Sequence, residues 1–187
     1  MNQSEGNTMK RTLLVLLAVL LLAGLAVCAA KQTTRTDPAP AEEAEPAADD
    51  RAPLRFRTTD RDGNVWEESA FSGHELTMLN FWEPWCGPCV REMPDLQRLA
   101  EAYVDRGFQI LGVYSAQGME EDVDKVLEST GVTYPILHNT EDFALFRSGY
   151  VPTTVFLDEN GLVVGEPLYV GSKSYEDWET LVLELLG

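Results

Sequence analysis

The chain has 187 residues, with 31 acidic against 14 basic side chains and a formal net charge of −17. That length suits one ordinary domain with an appendage, not two with separate cores, and so acidic a surface repels a nucleic-acid backbone, which excludes nucleic acid as a partner. The three cysteines are too few for a disulfide-stapled mini-domain and divide into a close pair, Cys86 and Cys89, and an outlier, Cys28.

Lys10 and Arg11 precede an unbroken apolar or small run from Leu13 to Ala30, the basic and hydrophobic regions of an export signal. Those 18 residues would be about 27 Å long as a helix, enough to span a bilayer if never cut. Residues 1–30 are therefore read as a signal peptide or membrane anchor. Cleavage after Ala29 or Ala30, retention, and lipid attachment at Cys28 all stay open. Val27 departs from the Gly, Ala or Ser that lipoprotein signals place before their cysteine, and Met9 is an alternative start. Residues 31–52 are Thr, Ala, Pro and acid, with Pro38, Pro40 and Pro46. Such a segment cannot bury enough apolar area to offset its ordering entropy, so it reads as a disordered linker. A stalk has a purpose when its base is fixed, which favours tethering to the membrane through the N-terminal segment.

The domain is expected over residues 53–187. Leu54, Phe56 and Thr58 alternate with polar neighbours, Asp62-Gly63 supplies a turn and Val65-Trp66 resumes the pattern, predicting a hairpin. Leu76 to Trp82 is short and nearly all apolar, as in a strand buried on both faces. Met93, Leu96, Leu99, Ala100 and Tyr103 then recur at helical spacing until Gly107, a C-cap candidate. Phe108 to Tyr114 predicts a second buried strand, and Glu120 to Ser129 a helix stopped by Gly131. Thr153–Asp158 and Leu162–Leu168 flank a turn, and Tyr175–Leu186 is an amphipathic helix. The order predicts an α/β domain with a central mixed β-sheet flanked by helices on both faces.

The chemistry lies at the strand-to-helix junction Trp85-Cys86-Gly87-Pro88-Cys89. A sulfur that opens a helix sits near the positive end of the dipole and unpaired N–H groups, which favours thiolate and makes Cys86 the nucleophile. Cys89, almost one turn on, is in reach to attack a mixed disulfide at Cys86 and release the partner. Pro88 suits a first helical turn, and Gly87 permits close approach of another chain. Half a zinc site is the competing reading, but the two histidines, His74 and His138, are isolated and read as surface or turn residues. A purely structural disulfide would close too short a loop to stabilise much.

The run Leu79-Asn80-Phe81-Trp82-Glu83-Pro84-Trp85-Cys86-Gly87-Pro88-Cys89-Val90-Arg91-Glu92-Met93-Pro94 resembles the active-site segment of thioredoxin-like proteins, in particular the exported TlpA/ResA group. The resemblance extends over residues 53–187, including Tyr134-Pro135-Ile136 and Val151-Pro152-Thr153-Thr154. It implies a thioredoxin fold with an N-terminal β-hairpin and a central insertion, Cys86 as attacking and Cys89 as resolving thiol, and Pro94 as a kink in the first helix. It also implies that Pro152 is a cis-proline facing the cysteines, that Val151 offers main-chain hydrogen bonds to a substrate strand, and that Trp85 borders the substrate groove while Trp82 is mainly core.

Two departures bear on mechanism. Asn80 stands where thioredoxins keep a buried Asp, and Gly87 where some TlpA/ResA members have Glu, which leaves proton transfer at Cys89 to water or Glu83. The resemblance implies a membrane-tethered, extracytoplasmic thiol–disulfide oxidoreductase that needs no dissociable cofactor or metal. Gly-Pro between the cysteines is similar to reducing thioredoxins, so the expected direction is reduction of cysteine pairs in exported proteins, apo-cytochrome c among them, with electrons from a membrane thiol donor such as a DsbD/CcdA-like protein. A disulfide oxidase or isomerase, a copper-binding thiol metallochaperone and a peroxidase are the alternatives.

Overall fold

The computed structural model describes residues 52–116 and 118–187. The expectations for the signal or anchor, for Cys28 and for the linker up to residue 51 lie outside the described residues. Among the described residues, no helix is long and apolar enough to cross a membrane.

Strands β1 (Arg57–Thr59) and β2 (Val65–Glu67) form the predicted antiparallel hairpin, with Thr58 opposite Trp66. Its turn is organised by one carboxylate: Asp60 accepts the backbone N–H groups of Asp62 and Asn64, the Asn64 side-chain amide and the Trp66 indole N–H. These bonds, the Asn64 amide first among them, hold the Asp60 carboxyl down at about 2.

The main sheet has the order β5-β4-β3-β6-β7, built from β3 (Leu76–Trp82), β4 (Phe108–Tyr114), β5 (Ile136–His138), β6 (Thr153–Leu157) and β7 (Val163–Val170). β4 runs parallel to both β3 and β5, while β6 is antiparallel to β3 and β7, so the sheet is mixed as expected. β5 was not foreseen from periodicity. The hairpin docks on it: Asp60 bridges Leu137, and the Thr58 hydroxyl donates to the His138 carbonyl at 2.6 Å.

Alternation along β3 sorts the core. Leu76, Met78 and Trp82 face one side with Phe108, Ile110 and Tyr114 of β4. That side is covered by helices α1 (Gly87–Tyr103), α2 (Glu120–Thr130) and α3 (Tyr175–Leu186), through Met93, Leu96, Leu99, Val123, Trp178 and Val182. Leu79 and Phe81 face the other side, closed by Leu54 and Phe56 and by two 3-10 turns, Glu68–Phe71 and Glu141–Phe146. Among the described residues, helical cover on that face is thus limited to 3-10 turns. Gly112 of β4 lies on the α-helical side, where a Cβ would sit 2.7 Å from Ile136 Cδ1 and 3.2 Å from the Trp82 indole nitrogen. The missing side chain leaves room for the fully buried Trp82 indole to approach the strand.

Candidate active site

The buried strand β3 delivers the chain to Glu83-Pro84-Trp85, and the Cys86 N–H donates to the Glu83 carbonyl to close this loop. Cys86 is the N-cap of α1, in extended conformation, and its sulfur accepts the backbone N–H of Cys89 at 3.2 Å. A serine or aspartate oxygen plays this part at ordinary helix starts. Here the acceptor is the sulfur itself. Gly87 and Pro88 form the exposed first turn, where proline's missing N–H costs nothing. The helix continues through Pro94, whose ring removes one bond to the preceding turn.

Cys86 and Cys89 are joined in a disulfide with Cα atoms 5.3 Å apart. Cys89 has no exposed surface, whereas Cys86 retains 4%. An incoming sulfur can therefore reach Cys86 first. The Val151-Pro152 peptide bond is cis, and the Val151 carbonyl oxygen lies 3.6 Å from Cys86 Sγ. The sequence elements 65 residues apart are thus brought together at one sulfur. Trp85, 66% exposed, and Tyr150, 73% exposed, flank this point, while Trp82 is core. Of the predicted residues, Trp85, Cys86, Gly87, Pro88, Cys89, Val151 and Pro152 all lie on this one end of the sheet. His138 lies at the end of β5, its ring 5.1 Å from that of Tyr114 and tilted 45° to it.

The sequence reading passed over Glu92. This glutamate lies three residues beyond Cys89 on α1, hence on the same face of the helix, and is only 3% exposed. Its Oε1 accepts the Asn80 side-chain amide at 3.3 Å, and its Oε2 accepts the Lys173 backbone N–H at 3.2 Å and the Trp178 indole N–H at 3.4 Å. Burial raises its carboxyl to about 7, against the opposing pull of these donors and the Lys173 charge. A buried acid thus stands on the helix, where position 80 on the strand carries an amide. Asn80, cross-strand from Thr154 and bonded to its hydroxyl at 3.1 Å, holds the Glu92 carboxyl in place. Glu83, by contrast, spends its Oε1 on the Ser115 backbone N–H at 2.9 Å. The signal for Glu92 was present: Cys89, Glu92, Met93 and Leu96 share one otherwise apolar face.

A mixed sheet that presents a helix-capping disulfide opposite a cis-proline defines the thioredoxin-like class of thiol–disulfide oxidoreductases. Residues 48–165 match the AhpC/TSA family, and the chain belongs to that family. It is similar to the thiol-disulfide oxidoreductase ResA of Geobacillus kaustophilus, 36% identical over 126 residues that cover 66% of this chain and 70% of that one. The ResA of Geobacillus thermodenitrificans is 34% identical over 124 residues, covering 65% and 69%. Among solved structures, a thiol:disulfide interchange protein of the thioredoxin family from Chlorobium tepidum superposes with a TM-score of 0.62 at 26% identity, over 72% of this chain and 95% of that one. The protein is a thiol–disulfide oxidoreductase of thioredoxin-like fold.

Proposed function

We propose that the protein reduces disulfides of exported proteins outside the cytoplasmic membrane, tethered there by residues 1–30 and held off the surface by the linker 31–52. The observation that carries the reaction is the Cys86 sulfur, capping α1, bonded to a deeper Cys89 and keeping the pair's only exposed surface beside the Val151 carbonyl. In the reduced protein, the Cys86 thiolate attacks one sulfur of a client disulfide, forming a Cys86–client bond and releasing the client's other sulfur as thiolate. Cys89 then attacks Cys86 Sγ, which breaks the mixed disulfide, forms Cys86–Cys89 and frees the second client sulfur. Two electrons pass to the client. The protons lost by the two protein thiols end on the two client thiols.

Glu92, in this account, takes the proton of Cys89 as that sulfur becomes a nucleophile, because a carboxyl near 7 changes state at neutral pH. Trp85, Gly87, Pro88, Val151 and Pro152 form the surface that receives the client strand. Apo-cytochrome c is a fitting client, and a membrane thiol donor of the DsbD/CcdA-like kind would return the electrons; both follow from the family resemblance. No dissociable cofactor or metal takes part in these steps.

The order of attack is tested by trapping. With a disulfide-bonded client peptide, the reduced Cys89→Ala protein is expected to accumulate a mixed disulfide through Cys86, and Cys86→Ala to accumulate none. Adducts on the Cys86→Ala protein, or none on either, would contradict it.

A further inference from the structure

Beside the disulfide lies a cavity of about 470 Å³, within the size range of small-ligand sites. It is bordered by Trp85 and Val151, the residues that flank the Cys86 sulfur, and it extends back to Glu83, Asn139 and Phe146. Its floor is organised around Ser115. The Ser115 backbone N–H occupies Glu83 Oε1, and the Ser115 hydroxyl accepts the Asn139 side-chain amide at 2.8 Å.

These bonds leave two oxygens over; among the described residues of the lining the Trp82 indole N–H is unpartnered too, but its nitrogen lies against Gly112, which is not part of the cavity wall. Glu83 is 7% exposed, and among the described residues its Oε2 has no hydrogen-bond partner; nor has Asn139 Oδ1. Both are acceptors, so an occupant that satisfies them must bring donors. A buried carboxylate oxygen without a donor is costly, and a donor that carries a positive charge answers it best. The walls agree, since Trp85, Phe146 and Tyr150 offer aromatic rings to a cation. Among the described residues, the one cation on the cavity's rim is already committed: Arg147 gives both terminal nitrogens to Glu141, at 3.0 and 2.9 Å.

We propose that this cavity is a specificity subsite for a cationic side chain with several N–H donors, arginine or lysine, carried by the client within two residues of the cysteine that Cys86 engages. The inference rests on the dithiol-exchange account above and adds to it what kind of client sequence is preferred. Two extended residues reach about 7 Å, enough to pass from the sulfur into the adjoining cavity. Glu83 would then be a substrate-binding residue, and its place three residues before Cys86 couples recognition to the reacting sulfur.

The test uses short peptide disulfides reduced by the reduced protein. One is neutral, one carries arginine next to its cysteine, and one has the same composition with the arginine moved to the far end. The third separates the subsite from general attraction to a chain of net charge −17. Each rate is divided by that of the same peptide with dithiothreitol, which removes the effect of arginine on the peptide's own thiol. The arginine-adjacent peptide is expected to react about ten- to a hundredfold faster than its positional isomer. Glu83→Gln, which keeps an oxygen for the Ser115 N–H, should bring that ratio close to one. Equal normalised rates for the two isomers in the unaltered protein would overturn the subsite while leaving exchange intact, and a ratio that survives Glu83→Gln would overturn its assignment to Glu83. Failure to reduce any of the three peptides would overturn the exchange account, and the subsite with it.

Discussion

The side-chain amide of Asn80 donates to Glu92 Oε1 at 3.3 Å, joining the central strand to the helix that carries both cysteines. Glu92 is only 3% exposed, and three neutral donors rather than a cation's side chain hold its carboxyl. The chain thus carries a neutral amide on the strand and a titratable acid one helical turn beyond Cys89.

The first consequence is kinetic. If Glu92 takes the Cys89 proton, the rate of disulfide reduction should inflect near pH 7 in the unaltered protein. In Glu92→Gln the inflection should vanish and the rate should fall by about a hundredfold, at the low end of general acid–base effects. Stopped-flow rates from pH 5 to 9 decide this; an unchanged profile would place the proton group elsewhere.

The same carboxyl governs stability. Its value in the folded protein, about 7, lies above the ordinary 4.5. The folded state therefore binds a proton that the unfolded chain has released, and stability falls as pH rises from about 4.5 to 7. The shift corresponds to a few kcal/mol, on the order of 3. Urea unfolding should show the loss across that window, and Glu92→Gln should flatten it. A hydrogen-bonded acid at Asp60 acts with the opposite sign and lower down, since its depressed carboxyl stabilises the fold above about pH 4 and ceases to as pH falls toward 2.

Trp85 separates recognition from folding. With 66% of its surface exposed it contributes little to the core, so Trp85→Ala should leave the melting temperature nearly unchanged, within about 0.5 kcal/mol of stability. Its rate with a protein disulfide should fall several-fold while its rate with oxidised dithiothreitol stays closer to that of the parent. A large loss of stability would show that the ring belongs to the core.

Gly112 makes the reverse case. A methyl group there would press on Ile136 Cδ1 and the Trp82 indole, both in the core on the α-helical side of the sheet. Gly112→Ala should cost about 1–3 kcal/mol, as overpacked cores do, and thermal unfolding checks it. Ile136 is the side chain able to give way, so Gly112→Ala combined with Ile136→Val should recover part of the loss.

Much of this architecture is legible in the residues themselves. The apolar run Leu76–Trp82, the cysteine pair opening a helix, and the amphipathic helices announce themselves through burial and period. The short strand Ile136–His138 and the 3-10 turn Glu141–Phe146 do not. Three residues carry no period, and this strand exists because β4 offers a free edge to pair with. The approach of Val151 to Cys86 follows from chain topology, so only the family resemblance brought it into view. Glu92 was passed over for a different reason: an acid on a helix is ordinarily a surface residue, and its burial depends on donors from Asn80, Lys173 and Trp178, which come from two other parts of the chain.

Whether Cys86 and Cys89 form a reducing dithiol is read from their reduction potential. The protein is equilibrated with graded dithiothreitol or glutathione mixtures and its free thiols are trapped and counted. A reducing dithiol gives a single two-electron transition near thioredoxin's value, about −270 mV. A midpoint close to about −120 mV would make the protein an oxidant, and a pair that never changes state would contradict dithiol exchange altogether.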